Sequence, residues 1–346
     1  MKRKSIQTPL SFFSEQKIQA KVSSLPLAEL KLKDAIEWEE FRGVLQTVRS
    51  DYSRGGRPPY DEVFMFKCLI LQTLYNLSDE ALEFEILNRI SFRLFLGMNI
   101  ESDVPDRNTI WHFREQLTKR NLLKPLFERF NEKLLQKGFI VHKGLISDAT
   151  FVEAPRQRNT PEENRQIKQG KSSEEVFSER TAQSRNHKDA DARWAFKGGE
   201  RHYGYKDHVT IDESSKLIVM YKVTPSNVWD GTMLSEIIPP HAKGEQSVYA
   251  DSGYSSTANT RMLKERGFTP EINEKGYRYV KLTDDQRREN ARKSRTRSRV
   301  EHVFAEMTNF MKVLLVRTIG ISRSETKIGL MNLTYNMRRY LVLIGR

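Results

Sequence analysis

The chain has 346 residues, enough for about two domains of about 150 residues each. Its 38% apolar content supplies a sizeable core at that length. A mean hydropathy of −0.64 and the lack of any run of about 18 uncharged apolar residues exclude an integral membrane protein. The best such stretch, 328–344, is interrupted by Arg338 and Arg339. Basic residues 2–4 are followed by no apolar stretch, so no signal peptide is read and the cytoplasm is expected. A single cysteine, Cys68, excludes a disulfide framework and a zinc finger. The net charge of +13 favours a polyanionic partner through counterion release. A charge that only maintains solubility is the alternative.

The first region, to about Phe139, reads as helical. After Pro58-Pro59 and Asp61, residues Val63, Phe66, Ile70 and Leu74 recur at helical spacing. Ser78 is placed to cap a second helix through Leu82 and Ile86, with Asp79 and Glu80 in its first turn. Phe92 to Leu96 forms a short apolar turn that Gly97 stops. Val104-Pro105-Asp106 then breaks the chain before a helix with Ile110, Phe113 and Leu117 on one face. Arg107, His112, Arg114 and Lys119 lie on the other. A short helix, a Pro-containing turn and a polar-faced helix match the helix-turn-helix pattern, in which the last helix enters the major groove.

From Gly144 to Val152 the chain is rich in strand formers. Residues 156–199 are almost devoid of apolar runs and cannot build a core alone, so they read as a mobile or partner-ordered excursion. Tyr205, Val209 and Ile211 then alternate with Lys206, His208 and Thr210 along a strand. A turn at 212–215 returns the chain as a strand from Lys216 to Val223. A short helix to Ile238, a strand ending before Asp251, a helix from Thr257 to Arg266 and a strand to Ile272 follow.

Residues 281–299 carry eight Lys or Arg against three Asp or Glu, a strongly basic helix. It becomes amphipathic at Val300, Val303, Phe304 and Met307, and a last helix places Leu330, Leu333, Met337 and Leu341 toward a core.

Three acids stand out by position. Asp148 lies near the end of the first strand, Asp251 ends the fourth, and Glu301 sits on a helix able to cover the sheet. If the first and fourth strands are neighbours, two carboxylates lie side by side and the helix adds a third. Clustered acids repel unless cations neutralise them. Oxygen ligands of this kind suit Mg²⁺ or Mn²⁺, and two such ions clamp the attacking and leaving oxygens of an in-line phosphodiester displacement. Strand-end Asp residues also serve as turn caps, and Glu301 follows Arg297 by four positions, so an i,i+4 ion pair is equally natural. The seven histidines show no metal-ligand spacing and read as surface or phosphate-contacting.

The ordered motifs Gly144-Leu-Ile-Ser-Asp148-Ala-Thr, Tyr203-Gly-Tyr-Lys-Asp-His, Thr224-Pro-Ser-Asn-Val-Trp-Asp and Tyr249-Ala-Asp251-Ser-Gly-Tyr resemble a bacterial insertion-sequence transposase of the Asp-Asp-Glu (DDE) class, in the insertion-sequence-five group. Arg297-Ser-Arg-Val-Glu301 resembles the C-terminal signature of that class. Gly56-Arg57-Pro58-Pro59-Tyr60, Tyr75-Asn76-Leu77-Ser78-Asp79 and Pro105-Asp106-Arg107 are similar to its helical DNA-binding segment. Two positions depart from the wider signature. Ser294 stands where a Tyr is usual and Thr308 where a Lys is usual, leaving Lys312 or Arg317 as substitutes.

The resemblance implies an α/β fold: an RNase H-like mixed sheet flanked by helices, with an all-helical N-terminal DNA-binding domain. The division expected is an extension at 1–54, a helical DNA-binding domain at 55–138 and a catalytic domain at 139–346. Asp148, Asp251 and Glu301 are then the catalytic residues and the ligands of two Mg²⁺ or Mn²⁺ ions per active site. Arg107, Arg114, Lys119, Arg295, Arg297 and Arg299 are the expected DNA contacts. The partners are double-stranded DNA, as terminal inverted repeats and target, and further copies of the chain as a homodimer or larger assembly, in a bacterial, nucleoid-associated setting. A DNA-binding regulator without catalysis and a metal-dependent endonuclease that does not join ends remain the alternatives.

Overall fold

Polar caps start three helices of the N-terminal half: Asp61 accepts from Phe64 N–H, Ser78 from Ala81 N–H and Asp106 from Thr109 N–H. Each such cap contributes about 1 kcal/mol. In this computed structural model, residues 14–48, 58–99, 101–141, 143–240, 246–276, 280–311 and 315–345 are described. Gly56, Arg57, His142, His241 and Lys312 lie outside them.

The N-terminal half contains α1 (Ser14–Ser23), α2 (Ala28–Ala35), α3 (Arg42–Leu45), α4 (Glu62–Leu74), α5 (Asp79–Asn88), α6 (Ile90–Leu96), α7 (Arg107–Lys119) and α8 (Leu123–Gln136). Gly97 ends α6 at φ +76°, a left-handed turn that glycine adopts without strain. Leu32, Trp38, Phe41 and Leu45, from the segment expected as an extension, pack with Phe66, Ile70 and Phe95 in the helical core.

The sheet comprises β1 (Gly144–Glu153), β2 (Arg193–Lys197), β3 (Glu200–Asp212), β4 (Ile218–Pro225), β5 (Ser247–Ala250) and β6 (Thr269–Ile272). β3 pairs antiparallel with β1, β2 and β4, whereas β5 is parallel to β1 and β6 to β5. This is the RNase H-like mixed sheet, and helices flank it. On one face α12 (Leu234–Ile237) and α13 (Thr257–Glu265) cover Leu145, Val248 and Ala250. On the other, α15 (Arg299–Met311) and α16 (Ile321–Leu343) cover Ile146, Val152, Val209 and Ile211. Covering both faces buries every residue of β3 from Tyr203 to Asp212, including Lys206, His208 and Thr210.

Residues 156–199 form α9 (Pro161–Lys168), α10 (Ser173–Val176), α11 (Ala182–Arg185) and the strand β2. Of their apolar residues, Ile167, Val176, Phe177 and Ala190 form one small buried cluster. Capping boxes at Thr160–Glu163 and Ser172–Glu175 supply local order. Tyr205 Oη donates to Asp189 at 2.7 Å, and the Asp191 carboxylate accepts Ile321 N–H at the start of α16. The segment thus holds to the sheet through polar anchors, which a composition argument cannot register. Gly204 is required where β3 bends: at φ +146°, a Cβ there would strike Val152 O and come 2.7 Å from Ala154 N.

Candidate active site

In the parallel β1–β5 pair, Ser147 lies opposite Ala250. Asp148 and Asp251, one residue further along each strand, are therefore neighbours at the end of β5. Asp148 alternates with Leu145, Ser147 and Ala149, and so shares the face of Ile146 and Val152 beneath α15. It is 8% exposed. Its Oδ1 accepts Ala149 N–H at 2.8 Å and its Oδ2 accepts Arg297 Nη1 at 2.6 Å. Burial pushes the Asp148 carboxyl up to about 6. The Ala149 amide and the Arg297 charge oppose that rise, while Asp251 adds to it.

Asp251 caps the short turn Ser252–Tyr254, with Oδ1 accepting Gly253 N–H at 2.8 Å. A Cβ at Gly253 would come 2.9 Å from that oxygen, which accounts for the Asp-Ser-Gly sequence. The turn cap and the strand-end carboxylate are one and the same residue.

The basic helix α14 (Asp284–Arg297) begins with a capping box at Thr283 and Gln286 and ends at Ser298, where α15 starts. Glu301 lies in the first turn of α15 with its side chain 60% exposed. Arg297 Nη2 donates to Glu301 Oε1 at 2.9 Å. The i,i+4 ion pair that the spacing allows is therefore formed, and the same guanidinium reaches Asp148. Among the described residues, no three His, Cys, Asp or Glu side chains stand together as a ready-made metal cluster. Arg297 lies between two of the three acids as a stand-in cation. Carboxylate oxygens gathered around a positive charge fit a hard divalent ion in both charge and chemistry.

A second polar cluster escaped the sequence reading. Lys206 Nζ is buried and donates to Asp230 Oδ1 and Val228 O, each at 2.7 Å. Lys197 Nζ lies 3.2 Å from Asp230 Oδ2. Burial works against the Lys197 charge, but Asp230, with Asp251 and Asp148 further off, outweighs it and raises its pKa. The Tyr-Gly-Tyr-Lys and Trp-Asp motifs hold these residues, yet neither spacing nor alternation names the partner across the loop.

The expected DNA contacts divide. Arg107, Lys119 and Arg295 are exposed. Arg114 is not on an open face: it donates to both Asp79 oxygens at 2.6 and 2.7 Å and to Gln72, bridging α7 to α5 and α4. Arg299 Nη1 donates to Glu213 O at 2.9 Å. Nor is every histidine superficial. His208 is fully buried against Thr224, and burial lowers it to about 4, so it is neutral at pH 7. Ser294 accepts from Asn273, and Thr308 donates to the Phe304 carbonyl within its own helix. Among the described residues no helix is long and apolar enough to cross a membrane.

Residues 141–337 match the model of the Transposase DDE domain family, more than half of the chain. The chain belongs to the DDE transposase family. Residues 16–116 of this transposase match a second model, the Transposase domain (DUF772), whose match begins within the segment expected as an extension. The transposase is also similar, at 10% identity and a TM-score of 0.44, to a piggyBac transposase in a synaptic complex with hairpin DNA, solved by cryo-EM. That likeness covers 92% of this chain and 75% of the other. Family membership makes the protein an enzyme of DNA transposition, a class that uses divalent metal ions.

Proposed function

We propose that this transposase cuts DNA at the ends of its own insertion element and joins the freed 3′-hydroxyl to target DNA. The observation that carries the reading is the adjacency of Asp148, which lies in the middle of β1 and not near its end as its sequence position suggests, to Asp251 at the end of the neighbouring β5, with Arg297 joining Asp148 to Glu301 on the covering helix. Asp148, Asp251 and Glu301 would hold the divalent ions. Divalent ions held by these residues would supply Lewis-acid activation of the attacking water or 3′-hydroxyl and neutralisation of charge on the leaving oxygen.

The chain's own side chains do the rest. Burial of Asp148 fixes one carboxylate in place, and the Gly253 amide orients the Asp251 carboxyl. Arg297 holds Asp148 and Glu301 in the metal-free site, and its guanidinium, with that of Arg295, would be available to the DNA phosphates once cations satisfied the acids. Lys206 and Asp230 hold Lys197 where it can contact a phosphate near the reacting bond. No Ser, Tyr or Cys nucleophile is needed, because both steps are direct phosphoryl transfers. Helices α5 to α7, in the unit from 55 to 138, read the terminal inverted repeats, with Arg107 and Lys119 toward the duplex. Two copies or more bring the two ends together for the catalytic unit from 139 onward.

Gel-shift and cleavage assays on DNA flanking the gene test this, first with Mg²⁺ and then with EDTA. Binding in both conditions, nicking only with Mg²⁺, and joining of precut ends are expected. Hydrolysis of precut ends without joining would overturn the transfer step, and binding without any nicking would overturn catalysis.

A further inference from the structure

A groove between α9 and the β2–β3 hairpin takes no part in the carboxylate site. It encloses about 980 Å³, and no Asp or Glu lines it. That volume lies at the upper end of sites for small ligands, too small for a duplex but ample for one or two nucleotides. Trp194 forms its platform, 49% exposed. The buried Tyr203 ring backs it at 5.0 Å, and the exposed Arg156 guanidinium lies 5.4 Å over it. Arg158 and Lys168 are exposed on the walls with no carboxylate partner among the described residues. Arg193 differs: its donors go to the carbonyls of Ala192 and Ile167, so it builds the wall instead of facing a ligand.

The hairpin ties the groove to the reaction centre. Phe196, two residues beyond Trp194 on the same strand face, is 72% exposed. Lys197, on the opposite face, reaches Asp230 beside the acids. One ribbon thus carries exposed aromatic rings on one side and a cation near Asp148 and Asp251 on the other.

We propose that this groove binds an unpaired stretch of DNA, with one base stacked on Trp194 and its flanking phosphates on Arg158 and Lys168. An exposed ring beside cations is the chemistry of single-strand binding, since every base offers a π-face only when its neighbours do not cover it. The proposal rests on the reading that the enzyme opens DNA ends.

The test uses the full-length protein and a short single-stranded deoxyribonucleotide containing 2-aminopurine, with the same sequence as a duplex for comparison. Wild type should bind the single strand and quench its fluorescence by stacking. Trp194→Ala should lose the quenching and about tenfold or more in affinity, and Trp194→Phe should keep most of both. The double variant Arg158→Ser/Lys168→Ser, with both changes at the surface, should lower the slope of log affinity against log salt by about 1.4. Single-strand binding unchanged in Trp194→Ala, or an unchanged slope in the double variant, would overturn the proposal. The wild-type duplex arm separates the two claims. Ends bound and nicked with a silent Trp194→Ala sink the groove alone. A Trp194-dependent single strand with ends neither bound nor nicked supports the groove and sinks the end-cutting reading.

Discussion

The Arg297 guanidinium lies 2.6 Å from the carboxylate of Asp148, 149 positions earlier in the chain. It is the only cationic side chain hydrogen-bonded to that buried acid among the described residues, and it holds Glu301 with its other nitrogen. Burial and charge pull the acid in opposite directions: desolvation raises it to about 6, and Arg297 resists. Replacing Arg297 with Gln removes the resisting charge, so the Asp148 titration should move up by roughly one unit or more. A carbon-13 carboxyl titration of the metal-free protein measures this directly. A midpoint that stays or falls in Arg297→Gln would show that the ion pair does not govern Asp148.

Asp207 lies on the same sheet face as Asp148, buried in the core against α16, where Asn332 donates to it at 3.2 Å. Complete burial raises it from 3.8 to about 7, and Asn332 Oδ1 has no donor, so a neutral acid could supply one. Between those two pH values the folded chain keeps a proton that the unfolded chain releases, so this residue's contribution to stability falls as pH rises. The loss approaches about 4 kcal/mol as an upper bound. Asp207→Asn should therefore be more stable than wild type at pH 8, with the gap closing toward pH 4. Urea denaturation at both values checks it, and an equal gap at both would refute the assignment.

Arg114 and the exposed cations of α7 should separate cleanly. Arg114→Ala leaves Asp79 without its bidentate partner and should cost about 1–3 kcal/mol of stability. Arg107→Ala and Lys119→Ala should leave the unfolding midpoint within about 0.5 kcal/mol of wild type and weaken binding to the element end. Thermal melts beside gel shifts read both. Arg114→Ala at wild-type stability would mean that its contacts to Asp79 carry nothing.

Gly204→Ala tests the bend that carries the β2–β3 hairpin. The added methyl must push Val152 O or Ala154 N out of the β1–β3 ladder, and φ +146° is itself unfavourable for alanine. A loss of about 2–4 kcal/mol in chemical denaturation is expected. A loss under about 1 kcal/mol would mean that the ladder adjusts freely.

Local signals were readable from the residues themselves. Ser78 and Gly97 start and stop helices where their chemistry dictates, and Asp251 is at once strand end and turn cap. Apolar alternation placed β3, and the burial of Leu330, Leu333 and Met337 follows from helical spacing. What spacing could not give is long-range pairing. Arg114 has the polar-face position of a DNA contact, yet Asp79 claims it from another helix. β2 lies in a stretch too polar to read as structured, and it is ordered by partners such as Tyr205 and α16. Lys206 and Asp230 sit 24 positions apart, and only the folded loop brings them together.

Cleavage by Asp148→Asn, set against wild type on duplex DNA carrying the element end, bears most directly on the catalytic assignment. The substitution keeps the side chain's shape and removes the charge that a divalent cation needs. With Mg²⁺ present, wild type should nick the DNA, and Asp148→Asn should bind the same end with nearly unchanged affinity and leave it intact. Mg²⁺-dependent nicking by Asp148→Asn at the wild-type rate would contradict the account.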